Sequence, residues 1–218
     1  MKHTKKLSIL FLFTCMIAAF TTGCGLDFDA SGYVKACLDA NAHGEFASYA
    51  EITNTPIETV EQQFNDRMEQ EISYLDAYHL DEDRKNKFRD LFINMYGSFK
   101  YEVGEAVKND DGSYSVPVTT YKLMVFKDVM TEGQSFMENY AQQEVDAGRT
   151  PTEDDLYITA ADFMYDYMSQ NLGALEYAEG VSTTITVAPT ASDSRVYSVD
   201  QYELQSLLES MVDIENAQ

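Results

Sequence analysis

The sequence predicts an α+β fold: several helices packed on a small curved antiparallel sheet built from β-hairpins. Three observations lead there. Apolar residues recur at three- and four-residue steps through most of the chain. The period changes to two around residues 99–118 and again around 181–187. Helices and strands come in runs, whereas a parallel sheet would need them to alternate strictly. With 218 residues and 44% hydrophobic side chains the chain can bury a sizeable core, so neither a disulfide nor a metal is needed to hold it.

Each element has its own signal. Ser31 is placed to cap a first helix carrying Tyr33, Val34, Cys37 and Leu38, with Gly44 to close it. Thr55-Pro56-Ile57-Glu58 reads as a capping box with Pro at the first helical position. Val60, Phe64, Met68, Ile72 and Leu75 then form one stripe. A third helix opens near Asp81 and presents Phe88, Leu91, Phe92, Met95 and Tyr96 before Gly97. Phe99, Tyr101, Val103 and Val107 alternate towards the turn Asn109-Asp110-Asp111-Gly112, and Tyr114, Val116 and Val118 alternate beyond it, which makes a hairpin. Pro117 inside the second strand predicts an edge position, or one whose N–H is not needed. Val129, Phe136, Met137 and Tyr140 mark a helix ending near Gly148. Thr152 to Asp155 is a further capping box, leading Leu156, Ala160, Phe163, Met164 and Tyr167 along one face. Val181, Thr183, Ile185 and Val187 read as a strand pairing with Val196 and Tyr197. Ser198 or Asp200 caps a last helix through Leu204, Leu207, Leu208 and Met211. The order of two helices then a hairpin recurs from Lys127 to Ser198, a hint of duplication without residue identity. In outline the set resembles cystatin-like and NTF2-like domains.

The N-terminus carries an address. Lys2, Lys5 and Lys6 precede an apolar run of fourteen residues, Leu7 to Phe20, too short to span a bilayer permanently. Thr21, Thr22 and Gly23 then lead to Cys24. This arrangement resembles a bacterial lipobox, with Thr21 standing where a Leu-like residue is usual. The resemblance implies a signal peptide at 1–23, lipid on Cys24 and a tether at 24–30, ahead of one globular domain at 31–214. From Ser31 to Met211 the chain also resembles small lipoproteins of unknown function from Gram-positive bacteria. The residues behind that likeness are Gly32 to Ala40, Tyr101 to Ala106 and Val125 to Asp128. It implies a location outside the cytoplasm, on the membrane of a Gram-positive cell, and no activity.

Loss of residues 1–23 leaves 12 cations against 37 acids, a charge of −25. That excludes a sequence-independent grip on nucleic acid and any basic patch that would hold the domain to anionic lipid. Such crowding predicts carboxylate pKa values raised by mutual repulsion, higher melting at mildly acidic pH than at pH ~8, and little effect of calcium beyond its ionic strength. Cys37 reads as a buried small hydrophobe, with a Cys24–Cys37 bridge as the alternative where lipidation fails. His43 and His79 sit at helix ends, where a positive ring meets unpaired carbonyls.

No catalytic motif is present: no G-x-S-x-G, S-x-x-K, H-E-x-x-H or C-x-x-C. Asn109, Asp111 and Gly112 echo part of a calcium loop, but its first and last ligand positions fall on Val107 and Val118. Tyr74, Tyr78, Tyr157, Tyr165 and Tyr167 offer either a sugar or peptide site on a concave sheet or the wet edges of a core. The expectation is therefore a lipid-anchored, non-enzymatic module without metal or cofactor. It would be held at the membrane through its N-terminal lipid and bind an extracellular protein, peptide or glycan. The alternatives are a cell-wall or glycan hydrolase with an unrecognised carboxylate pair, and a solute-capture lipoprotein.

Overall fold

The computed structural model describes residues 18–19, 28–190 and 196–217. Six strands form one antiparallel sheet: β1 (Ala18–Ala19), β2 (Lys100–Val103), β3 (Val107–Lys108), β4 (Tyr114–Tyr121), β5 (Val181–Pro189) and β6 (Val196–Val199). Their order is β1-β6-β5-β4-β2, and β3 pairs with β4 beyond the end of β2. The helices are α1 (Ala30–Leu38), α2 (Ala47–Thr53), α3 (Ile57–Ser73), α4 (Glu82–Gly97), α5 (Val129–Asp146), α6 (Glu153–Gly173) and α7 (Gln201–Ser210). This is the predicted α+β class. Among the described residues four helices precede the first hairpin and two precede the second, so the order of two helices then a hairpin does not repeat there.

α1 buries most of its residues, with Lys35 left exposed, and lies across the inner face of the sheet, against β2, β4 and β5. Tyr33, Val34, Ala36, Cys37 and Leu38 are all buried there. Its N-cap is Asp29, which accepts from the Gly32 N–H at 2.8 Å, and not Ser31. The Ser31 hydroxyl instead donates to the Gly104 carbonyl and accepts from the Ala106 N–H, both at 2.8 Å, pinning the segment between β2 and β3. α3 and α4 form the next layer, and α6 packs on α4.

One other cap departs from expectation. α3 starts where predicted, but Pro56 occupies the N-cap and no side chain caps the helix. Thr55 accepts from the Thr53 hydroxyl at 2.9 Å, and α2, a helix the periodicity did not reveal, ends at Asn54 in the left-handed region. The box at Thr152 forms as written, with Asp155 accepting from the Thr152 N–H at 2.8 Å.

In the sheet, β4 is central and still holds Pro117. Gly104 donates its N–H to the Pro117 carbonyl at 2.8 Å. In a strand a residue's N and C=O point to the same side, so the missing N–H of Pro117 faces the break between β2 and β3. Of the two predicted placements, the one needing no N–H is correct. Val116 and Val118 face the helices and are fully buried, as are Ile185 and Val187 on β5. The first half of β5 is exposed on both faces, so the alternation at Val181 and Thr183 does not translate into burial. Asp200, not Ser198, caps α7, and Ser198 lies within β6. Residues 191–195, between β5 and β6, lie outside the described residues.

Beyond β4 the chain threads between two other segments: Leu123 donates its N–H to the Met211 carbonyl and accepts the Asp213 N–H, while Met124 donates to the Glu176 carbonyl and Lys122 accepts the Ala178 N–H. The fully buried Asp213 accepts from the Phe126 N–H at 2.9 Å and the Asn216 amide at 3.0 Å, fixing the C-terminal segment to the root of α5.

Candidate functional site

α1 does not end where its α-helical bonding ends. Asp39–His43 continues it as one turn of π-helix, closed by Gly44 at φ 66°. The wider turn re-aims three polar side chains within a buried stretch, and such turns recur at functional positions. Asp39 accepts from the Tyr101 hydroxyl at 2.6 Å and from the Lys35 ammonium at 2.5 Å. His43 Nε2 donates to the Phe99 carbonyl at 2.9 Å, and its ring stacks on Tyr101 with centroids 5.2 Å apart. Asn41 donates to the Cys37 carbonyl at 2.7 Å.

The third partner comes from α3. Arg67 donates to Asn41 Oδ1 at 3.0 Å and to the Asn41 carbonyl at 2.6 Å. Its guanidinium lies over the rings of Phe64 and Tyr96, and its Nε is 3.9 Å from Glu71 Oε1. Tyr96 from α4 donates to Glu71 Oε2 at 2.5 Å. Burial pushes the Glu71 carboxyl above its ordinary range, and the Tyr96 hydroxyl and the Arg67 charge pull it part of the way back. Burial lowers Arg67, and burial with the Glu71 charge raises Tyr96.

A cleft of about 280 Å³ opens beside the π-turn, with Ala42, His43, Gly44, Phe46, Phe64 and Ile93 in its wall. It can take a small apolar group, with His43, Glu61 and Asn65 as its polar lining. Burial and the bond to Asp39 hold Tyr101 well above its ordinary range, so its hydroxyl is a donor and not a base. The Nε2 proton of His43 is held by a carbonyl. A second cleft of about 280 Å³ lies between α4 and α6 and carries two carboxylates, Asp162 and Asp166. Both oxygens of Asp162 accept from the Arg84 fork, at 2.8 and 3.0 Å.

The residues singled out by sequence scatter. Cys24 lies outside the described residues. Cys37 is fully buried within α1. His43 reaches a carbonyl as expected, but one from the β2 end of the chain. His79 pairs on the surface with Asp154 at 2.9 Å. Asn109 holds the Ser113 and Ser115 hydroxyls, and Asp111 accepts from the Ser113 N–H and hydroxyl, so these residues build the hairpin turn. Among the described residues no three His, Cys, Asp or Glu side chains gather as a metal set. The five tyrosines do not line the sheet. Tyr78 meets Tyr157 edge-on at 5.8 Å, Tyr165 meets Phe88 at 5.7 Å, and the Tyr167 hydroxyl donates to the Lys127 carbonyl. They are rims of the helical layer.

Asp39, Asn41, Arg67 and Glu71 were not among the sequence candidates. A signal existed for two of them: Arg67 and Glu71 fall beside Met68 and Ile72, on the apolar stripe itself.

No family model matches the chain, and no curated protein matches it in sequence. Its fold is similar to the crystal structure of a protein from Bacillus subtilis subsp. subtilis str. 168 described as a "putative lipoprotein (ycdA)". The TM-score is 0.57 at 13% identity, over 85% of this chain and 56% of that one. The chain thus spans little more than half of that protein, and the likeness is one of fold.

Proposed function

We propose that the protein is a lipid-anchored, extracytoplasmic, non-enzymatic interaction module on the outer face of a Gram-positive membrane. One observation carries the reading. Phe28 stacks on Tyr197 at 4.4 Å and meets Tyr114 and Tyr33 at 5.6 and 5.8 Å. β1 lies within residues 1–23 and would leave with them, so in the processed chain the folded body would take hold four residues after Cys24, a reach of at most ~14 Å. A lipid on Cys24 would dock the domain directly on the bilayer, with less free tether than 24–30 suggests. The basic n-region, apolar run and small residues before Cys24 support the same reading, and so does the fold shared with a protein described as a "putative lipoprotein". The non-enzymatic part is supported by the polar clusters, whose ionisable groups are engaged with one another and with the backbone.

The acidic surface cannot hold anionic lipid by itself, and acyl chains contribute ~0.8 kcal/mol per buried CH₂. In cell fractionation Cys24→Ala should leave the membrane fraction or accumulate unprocessed. Normal processing with full membrane retention of that variant would sink the anchor.

A further inference from the structure

We infer that the α5–α6 hairpin is a docking surface for a cationic amphipathic segment of a partner protein. α5 buries only Val129 among its residues, and its main neighbours are α6 and the C-terminal 3-10 turn. Met130, Met137, Ala141 and Val145 follow one another at steps of seven, four and four, so they share one side of the helix. Met130 is 58% exposed and Val145 68%. Phe136, stacked on Phe163 at 4.8 Å, is still 40% exposed, and Leu156 opens α6 in the same way. An amphipathic helix with so little cover is a face that another element can bury, and flexible methionines suit such a face.

Charge selects the occupant. Residues 129–173 contain nine carboxylates and one cation, Arg149. Both Arg149 contacts, at 2.5 and 2.7 Å, go to Glu144. A second copy of this chain would set nine carboxylates against nine, and an anionic bilayer would be repelled likewise. A basic helix with an apolar stripe satisfies both features, as apolar side chains enter the seam and lysines meet the acidic rim. The display direction, which rests on the anchored-module reading, agrees. Phe28 packs at the Tyr114 end of β4, whereas α5 springs from the chain beyond Tyr121. Those ends are ~23 Å apart along the strand.

The test uses the full-length protein in phosphatidylcholine nanodiscs, with empty discs as blank. The probes are a synthetic helix with one leucine face and one lysine face, and an oligolysine of equal charge. The helix should bind at least ~10-fold more tightly than the oligolysine. Met130→Gln with Val145→Gln should remove at least ~10-fold of the helix affinity and leave the oligolysine affinity unchanged. Ile57→Gln, at an exposed apolar residue elsewhere, should change neither. Glu132→Gln with Glu138→Gln keeps the seam and should weaken both probes. Equal binding of the two probes, or wild-type helix affinity in a Met130/Val145 variant of unchanged circular dichroism, overturns the proposal. Fractionation of Cys24→Ala reads the anchor alone, so the two readings can fail separately.

Discussion

Glu71 shows how a residue can be visible in the sequence while its role is not. It sits on the α3 stripe, but its hydroxyl partner Tyr96 lies 25 residues along the chain, and Arg67 reaches 26 residues back to Asn41. Periodicity finds the face and says nothing about which distant residue answers a charge on it. Glu71 Oε1 has no hydrogen-bond donor among the described residues, so burial favours its protonated form. A carboxyl whose folded pKa is raised contributes stability that is complete below its ordinary value near 4.5 and lost as pH rises through the folded value. Asp81, Asp111, Glu144, Asp155 and Glu215 are lowered, so their contributions disappear only when the solution is more acidic than their ordinary range. Above about pH 5 those five are flat, and Glu71 gives a downward slope of stability until pH passes its folded value. Urea unfolding across that range should show a shallower decline for Glu71→Gln than for wild type. An unchanged slope in the variant would place the titrating group elsewhere.

At the scale of elements, capping and alternation were legible wherever the partner is local. Asp81 caps α4 through the Arg84 N–H, Thr152 and Asp155 close their box, and Gly112 turns the hairpin at φ 85°. Less was legible where a tertiary contact takes the residue for another use, as Gly104 and Ala106 take Ser31 from its capping position. α2 is one short helix with a weak stripe, and the π-turn leaves no mark in composition. The β2–β3 break combines both kinds of cause. A Cβ on Gly104 would stand 2.8 Å from Pro117 Cγ and 3.4 Å from the Pro117 carbonyl oxygen, and the pyrrolidine ring cannot swing away. Gly104→Ala should therefore cost ~1–3 kcal/mol, as overpacking does, with each kcal/mol lowering Tm by roughly 2–4 °C in a thermal melt. A melt indistinguishable from wild type would mean that the edge at Gly104 yields freely.

For the whole molecule, a charge of −25 predicted carboxylates raised by mutual repulsion, and the structure corrects this. Among the described carboxylates with a clear shift, five are lowered and only the buried Glu71 is raised. Contact hydrogen bonds and ion pairs outweigh distant like charges that solvent and salt screen over ~8 Å at physiological ionic strength. The excess charge is free to act on partners, repelling anionic surfaces and attracting basic ones, while the lipid would supply the attachment that charge denies. The two features of the proposed module, an anchor at Cys24 and a processed body seated from Phe28 onward, would meet within four residues. Mass spectrometry of the N-terminal proteolytic peptide from membranes of the native host examines that junction directly. The account predicts a peptide beginning at Cys24, heavier by its acyl chains and lacking residues 1–23. An unmodified Cys24, whether preceded by those residues or placed inside a peptide cut elsewhere, would contradict it.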